Sequence, residues 1–178
     1  MELLLALQDA RTPVLDAVFL LASRLGEEVA VLSPLLLFYW CLDKRTGLRI
    51  GFTYFAGGMM GQFAKVIFRV ERPFVRNPQL LPHPGAVEGA TGYSFPSGHT
   101  TSATSLAAAF ALNWRKKAWV WVVGAAYVAL VGFSRLYLGV HTPMDVLCAL
   151  ALSFVMALVV DAAFADCEKR PGHVRLYF

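Results

Sequence analysis

Charge is what this chain has least of. Asp, Glu, Lys and Arg make up 16% of its 178 residues, and 57% are hydrophobic, where a soluble domain carries about a quarter charged residues. That balance excludes an ordinary soluble globular domain, which could not face water on all sides with so little polarity. Cysteine is also scarce. Cys41, Cys148 and Cys167 are odd in number and show no ligand-like spacing, so neither a disulfide framework nor a zinc site is indicated. The N-terminus lacks a basic region ahead of an apolar run and has no small-residue cleavage site. No cleavable signal peptide is expected, and the first true span serves as its own insertion signal. Internal repeats, low-complexity tracts and signs of a second domain are missing too, which leaves one membrane-embedded domain over residues 1–178.

What the chain does have is apolar length. Read for stretches able to cross a bilayer, the sequence predicts spans at Glu28 to Leu42, Leu48 to Phe68, His99 to Trp114, Ala118 to Phe133 and Pro143 to Phe164. Several are short, which suits tilted helices or a thin membrane. Val14 to Leu25 is shorter still and carries Asp16 and Arg24, so with Glu2 to Gln8 it reads as interfacial or half-inserted helix over residues 1–26. The expected fold is all-α: a polytopic membrane helix bundle of five to six transmembrane helices. Gly57 and Gly61 form a small-xxx-small pair suited to close helix packing. The connection over residues 73–96 is long, rich in Pro, Gly and His, and too polar for hydrocarbon. A loop of that length beside a site commonly shapes it.

Basic residues set an orientation. Lys44, Arg45, Arg49, Arg115, Lys116, Lys117, Lys169, Arg170 and Arg175 fall on one side of the predicted topology; Arg11, Arg24, Arg69 and Arg76 fall on the other, with Lys65, Arg72 and Arg135 set aside because they belong to polar clusters within the apolar chain. The richer side is expected to be cytoplasmic.

Three polar clusters interrupt the apolar chain: Lys65 with Arg72-Pro73; Pro96-Ser97-Gly98-His99; and Ser134-Arg135 with His141 and Asp145. Together they hold three permanent cations, two imidazoles and one carboxylate, which suits binding a phosphate and attacking it. Each sits at the end of an apolar stretch, so helix ends can bring them to one depth of the membrane. Lys65 and Arg72 are two helical turns apart, on one face if the helix runs on past Phe68; anchoring to lipid headgroups explains such cations equally well. Ser97 suits a helix N-cap, with the Gly98 amide and the free N–H groups beyond it forming an anion site and His99 beside it. A histidine there is more often structural than catalytic. His141 and Asp145 lie four apart, so the carboxylate can hold one imidazole nitrogen and leave the other free. Asp145 could also simply favour a helix dipole. Metal binding by His99, His141 and Asp145 is disfavoured because three neighbouring cations would repel a divalent ion.

These three clusters, in order and spacing, resemble the tripartite signature of the type 2 phosphatidic acid phosphatase superfamily, with no departure at any signature position over residues 28–160. Pro13 to Asp16, Arg72-Pro73-Phe74-Val75 and Leu81-Pro82-His83 are also similar to bacterial undecaprenyl pyrophosphate phosphatases. The resemblance implies cofactor-free, metal-independent hydrolysis through a phosphohistidine. It makes His141 the nucleophile, Asp145 its orienting carboxylate and His99 the general acid. Lys65, Arg72, Ser97, Gly98 and Arg135 become the phosphoryl-binding groups. The resemblance further suggests a bacterial plasma-membrane enzyme; the charge asymmetry turns its site to the extracytoplasmic side, and a site at the ends of spanning helices favours a lipid phosphate in the bilayer. Undecaprenyl pyrophosphate is the first expected substrate, and phosphatidic acid or phosphatidylglycerophosphate the second. No nucleic-acid partner is implied. A non-catalytic lipid-binding or transport protein is the alternative of another class.

Overall fold

A computed structural model describes residues 1–169; Arg170 and Arg175 of the basic tail lie outside the described residues. All regular structure among those residues is helical: α1 (Glu2–Asp9), α2 (Pro13–Arg24), α3 (Glu28–Leu37) running into a π-helical turn (Phe38–Leu42), α4 (Lys44–Phe68), α5 (Pro73–Arg76), α6 (Pro84–Val87), α7 (Gly98–Asn113), α8 (Ala118–Tyr137) and α9 (Pro143–Lys169). Local chemistry sets several boundaries. The Thr12 hydroxyl accepts from Leu15 N at 3.3 Å ahead of Pro13, which suits the first helical position. Asp43 caps α4 by accepting from Arg45 N and Thr46 N at 3.3 and 3.1 Å.

Helices α4, α7 and α9 pack on one another at the centre, with α8 against α7, α3 against α4 and α2 against α8. Small residues allow this closeness. A Cβ on Gly57 would come within 2.5 Å of Ser105 Oγ on α7, and one on Gly61 within 3.7 Å of Thr101 Oγ1. Both glycines of the small-xxx-small pair therefore face α7. Val31, Ile50, Leu106 and Ala109 form one buried cluster among α3, α4 and α7, and Ala86, Tyr137, Leu138 and Val140 another where α8 ends.

The two ends of the bundle differ. At one, Arg49 donates to Asn113 Oδ1 at 3.1 Å and pairs with Glu168 at 3.0 Å, Arg115 pairs with Asp161 at 2.8 Å, and Arg45 pairs with Glu168. Basic residues from α4 and the α7–α8 connection thus gather against the end of α9. At the other, Arg11 donates from Nη1 to Leu81 O at 2.6 Å and from Nη2 to Tyr137 O at 2.9 Å, and the Tyr137 hydroxyl donates to Asp16 at 2.9 Å. These bonds dock the N-terminal helices on the end of α8.

Ala118–Tyr137 and Pro143–Lys169 are each long and apolar enough to cross a membrane, and Pro13–Arg24 with Glu28–Leu42, bent by 45°, qualifies as one broken span. Outward-facing Phe52, Phe55, Met59, Phe63, Trp119, Val122 and Val155 are exposed, as lipid contact requires. The chain is an integral membrane protein. Val or Leu at position 57 must push α4 off α7, so Gly57→Val is expected to destabilise the fold by about 1–3 kcal/mol. The check is a lower thermal unfolding midpoint in detergent; an unchanged midpoint would show that this contact is loose.

Candidate active site

Helix α4 stops at Phe68, where Arg69 leaves the helical conformation, and its register is not resumed at Arg72, which the following proline keeps out of the α region. Arg72 is extended ahead of Pro73 (φ −69°, ψ 150°). Arg69 takes the left-handed conformation at φ 46°, and its N–H closes on Lys65 O at 3.0 Å. The one-helix geometry expected for the first cluster is corrected accordingly: Lys65 projects from the helix and Arg72 from the connection after it.

That connection turns Arg72 inward, where it is 5% exposed. Its Nε donates to Gly92 O at 3.2 Å and Nη2 to Thr91 O at 2.9 Å. Its Nη1 donates to Val140 O at 3.2 Å and stands 3.3 Å from His141 Nε2. One guanidinium thus joins residues 91–92 to the segment ahead of α9.

His141 precedes α9 and Asp145 lies in its first turn, both 2% exposed. Imidazole Nδ1 is 3.6 Å from Asp145 Oδ2, beyond hydrogen-bond length. The same oxygen accepts from Ser94 Oγ at 2.6 Å and from Thr142 N at 2.7 Å, and Ser94 Oγ is 3.3 Å from His141 Nδ1. Burial pulls the His141 pKa down to about 4 against the Asp145 carboxylate, with Arg135 and Arg72 acting in the same direction as burial. The imidazole is therefore neutral at pH 7. A neutral ring with its Nδ1 side turned to oxygen presents a lone pair at Nε2.

Ser97 caps α7, accepting from Thr100 N at 3.4 Å, and its own N–H donates to Asp145 O at 3.1 Å, which fixes the start of α7 to the start of α9. A Cβ on Gly98 would lie 3.9 Å from Lys65 Nζ, so the lysine ammonium sits over this helix start. Lys65, Gly98 and His99 line a cavity of about 400 Å³ that continues between α3, α4 and α7 past Gly61 to Tyr54 and Glu28. Arg72, Arg135 and His141 do not line it.

Arg135, at the end of α8, is 2% exposed. Its Nη1 donates to Ser23 Oγ, while Nε and Nη2 are buried with no partner among the described residues. His99 lies within electrostatic reach of Arg135, His141, Arg72 and Lys65. The three sequence clusters therefore meet at one end of the bundle. Ser23 and Ser94 complete the arrangement and escaped the sequence reading, since the contacts of Ser94 span 47 and 51 residues and that of Ser23 spans 112. Their only signal is proximity to other polar residues, which lone serines share with many others. No group of three His, Cys, Asp or Glu side chains among the described residues is placed to hold a metal ion.

An all-helical membrane protein that gathers Lys65, Arg72 and Arg135 near two histidines at one end of its bundle is organised as an anion site. The model of the PAP2 superfamily matches residues 46–168. The undecaprenyl-diphosphatase of Sulfolobus acidocaldarius is 31% identical over 137 residues, 75% of this chain and 63% of that protein. Undecaprenyl-diphosphatase BcrC of Bacillus subtilis is 31% identical over 150 residues, 82% of this chain and 73% of its own. The crystal structure of a transmembrane PAP2-type phosphatidylglycerolphosphate phosphatase from Bacillus subtilis superposes with a TM-score of 0.74 at 25% identity, covering 95% of this chain and 85% of that one. The chain belongs to the PAP2 superfamily of type 2 phosphatidic acid phosphatases. Its class is that of a lipid phosphatase, a hydrolase.

The unanswered nitrogens of Arg135 generate a test. A buried cation with open donors costs stability, and an apolar isostere removes that cost. Arg135→Met is expected to hold or raise the unfolding midpoint of the ligand-free protein while weakening orthovanadate-induced stabilisation by at least about tenfold in apparent affinity, the size of one charge-assisted hydrogen bond. Thermal unfolding across a vanadate titration measures both; full vanadate stabilisation in the variant would remove Arg135 from the anion site.

Proposed function

We propose that this protein removes phosphate from a lipid headgroup through a phosphohistidine on His141, with an undecaprenyl pyrophosphate as substrate. The observation that carries the reading is the placement of His141, with Nδ1 on the Ser94–Asp145 side and Nε2 beside Arg72. Nε2 attacks phosphorus, the bond to the leaving oxygen breaks, and His99 gives that oxygen its proton. Water then displaces phosphate from Nε2 while His99 accepts a proton. Lys65, Arg72 and Arg135 hold the phosphoryl oxygens with the Ser97 hydroxyl and the Gly98 amide, and they meet the charge that builds in the transition state. Arg72 turns from Nε2 to a phosphate oxygen as the anion enters. These cations do the neutralising that a metal does elsewhere.

A site at the end of an apolar bundle favours a headgroup whose tail stays in the bilayer. The diphosphatase names of two relatives support undecaprenyl pyrophosphate as first choice. The phosphatidylglycerolphosphate phosphatase fold neighbour supports a glycerophospholipid monophosphate as the second reading. The whole of 1–178 acts as one membrane-embedded domain, with the 73–96 connection shaping the site. Helices α3, α4, α7, α8 and α9 cross the membrane and α1 and α2 ride at its surface, which makes five spans, or six if the N-terminal pair enters. The basic cluster around Arg45, Arg49 and Arg115 faces the cytoplasm of a bacterial cell and the catalytic end faces outward.

Phosphate release from a panel of undecaprenyl pyrophosphate, phosphatidate and phosphatidylglycerophosphate tests the activity. Turnover is expected to survive EDTA, to be inhibited by vanadate, to vanish in His141→Ala and to fall about 10²- to 10⁴-fold in His99→Ala, less for a pyrophosphate, whose leaving group is already a good one. Wild-type rates in His141→Ala rule out the phosphohistidine route. Orientation is read separately, with Cys41, Cys148 and Cys167 replaced by serine. In intact cells a cysteine at Gln79 is expected to react with an impermeant maleimide and one at Lys116 to stay unlabelled, and the reverse pattern turns the site to the cytoplasm.

A further inference from the structure

We propose that Ser94 is the bridge through which Asp145 orients His141, making it a positioning residue for phosphoryl transfer. The inference rests on His141 being the nucleophile. The direct contact between the dyad members, Nδ1 to Oδ2 at 3.6 Å, is too long for a hydrogen bond, and the Ser94 hydroxyl lies beside the pair within reach of both, 3.3 Å from the imidazole and 2.6 Å from the carboxylate. A hydroxyl has one proton to give. An ionised carboxylate can only accept, so that proton goes to Asp145, across the shorter of the two contacts. The Ser94 oxygen then turns a lone pair to Nδ1, and only the tautomer with its proton on Nδ1 can answer it. That tautomer leaves Nε2 unprotonated, which is the state an attack on phosphorus requires.

The backbone holds Ser94 to this task. Its side chain is fully buried, and its N–H donates to Val70 O at 2.8 Å. Just before it, Thr91 and Gly92 are held through their carbonyls by Arg72. The oxygen of Asp145 that takes the serine proton is also fixed by Thr142 N at 2.7 Å. The hydroxyl is therefore held against both members of the dyad at the start of α9.

Steady-state kinetics of Ser94→Ala, Asp145→Asn and the double variant test the bridge, with His141→Ala as the reference for the underlying reading. Ser94→Ala is expected to lower kcat about 10- to 100-fold, the usual loss when a supporting partner of a reactive group is removed, with KM nearly unchanged and the acid limb of the kcat–pH profile displaced. Because both residues act through the same ring, Ser94→Ala in the Asp145→Asn background is expected to cost less than about threefold more. Should Ser94→Ala fail to fold, Ser94→Thr and Ser94→Val have nearly the same shape and differ in the hydroxyl, and only Thr is expected to keep activity. A wild-type kcat and pH profile in Ser94→Ala, equal rates in the Thr and Val variants, or fully multiplicative losses in the double variant would overturn the proposal. An active His141→Ala would instead bring down the reading beneath it.

Discussion

Arg135 holds a guanidinium in the protein interior with two of its nitrogens unanswered, and this unbalanced positive charge is the constraint on which the rest of the site depends. Lys65 and Arg72 add to it from α4 and from the connection that follows. Asp145 stands within electrostatic reach of Arg72 and Glu27 within that of Arg135, and the Oδ2 of Asp145 is already committed to Ser94 and Thr142. Burying charge in this state is unfavourable until an anion arrives, so the helices that carry it must be held by something else. The small-residue contact of α4 with α7 and the ion cluster of Arg49, Arg115, Asp161 and Glu168 at the far end supply that hold.

Much of this was legible in the sequence because much of it is local. The Ser97 cap depends on neighbours in the chain and spacing alone reveals it, whereas the four-residue step from His141 to Asp145 brings the pair together without the direct hydrogen bond the spacing suggested. The all-helical class followed from apolar length in the same way. Lys65 and Arg72 were harder, since their separation equals two helical turns and yet the helix between them ends: Pro73 and the left-handed Arg69 outweigh the periodicity. Ser94 and Ser23 were invisible because their roles exist only after residues far apart in sequence have been folded together. The number of spans was not decided by hydropathy either. Glycines and basic residues dilute α4, and α7 is 16 residues long, so length and apolarity single out α8, α9 and the bent N-terminal pair.

The connection between α4 and α7 shows how a polar segment can be ordered without regular structure. Two single-turn helices, α5 and α6, punctuate it. Gln8 and Arg11 from the N-terminal segment bond to Gln79 and Leu81 within it, and Arg72 takes the carbonyls of Thr91 and Gly92. Backbone groups that water would otherwise satisfy are thus answered by side chains. The result is a fixed shelf from which Ser94 reaches the dyad.

The cavity beside His99 has a different character from the cluster behind it. Its lining mixes Lys65 with Glu27, Glu28, Gln62 and Tyr54, so it offers a guest polar as well as apolar surface, while the inner arginines offer little besides positive charge. In the proposed reaction the inner cluster cannot tell a headgroup phosphate from the free phosphate it has just cut loose. Retention of that product is the natural weakness of such a design, and departure of the inorganic anion competes with bond cleavage for control of the turnover rate. Discrimination among lipids then falls to the outer cavity, where Lys65 and His99 share the lining with Glu27, Glu28, Gln62 and Tyr54.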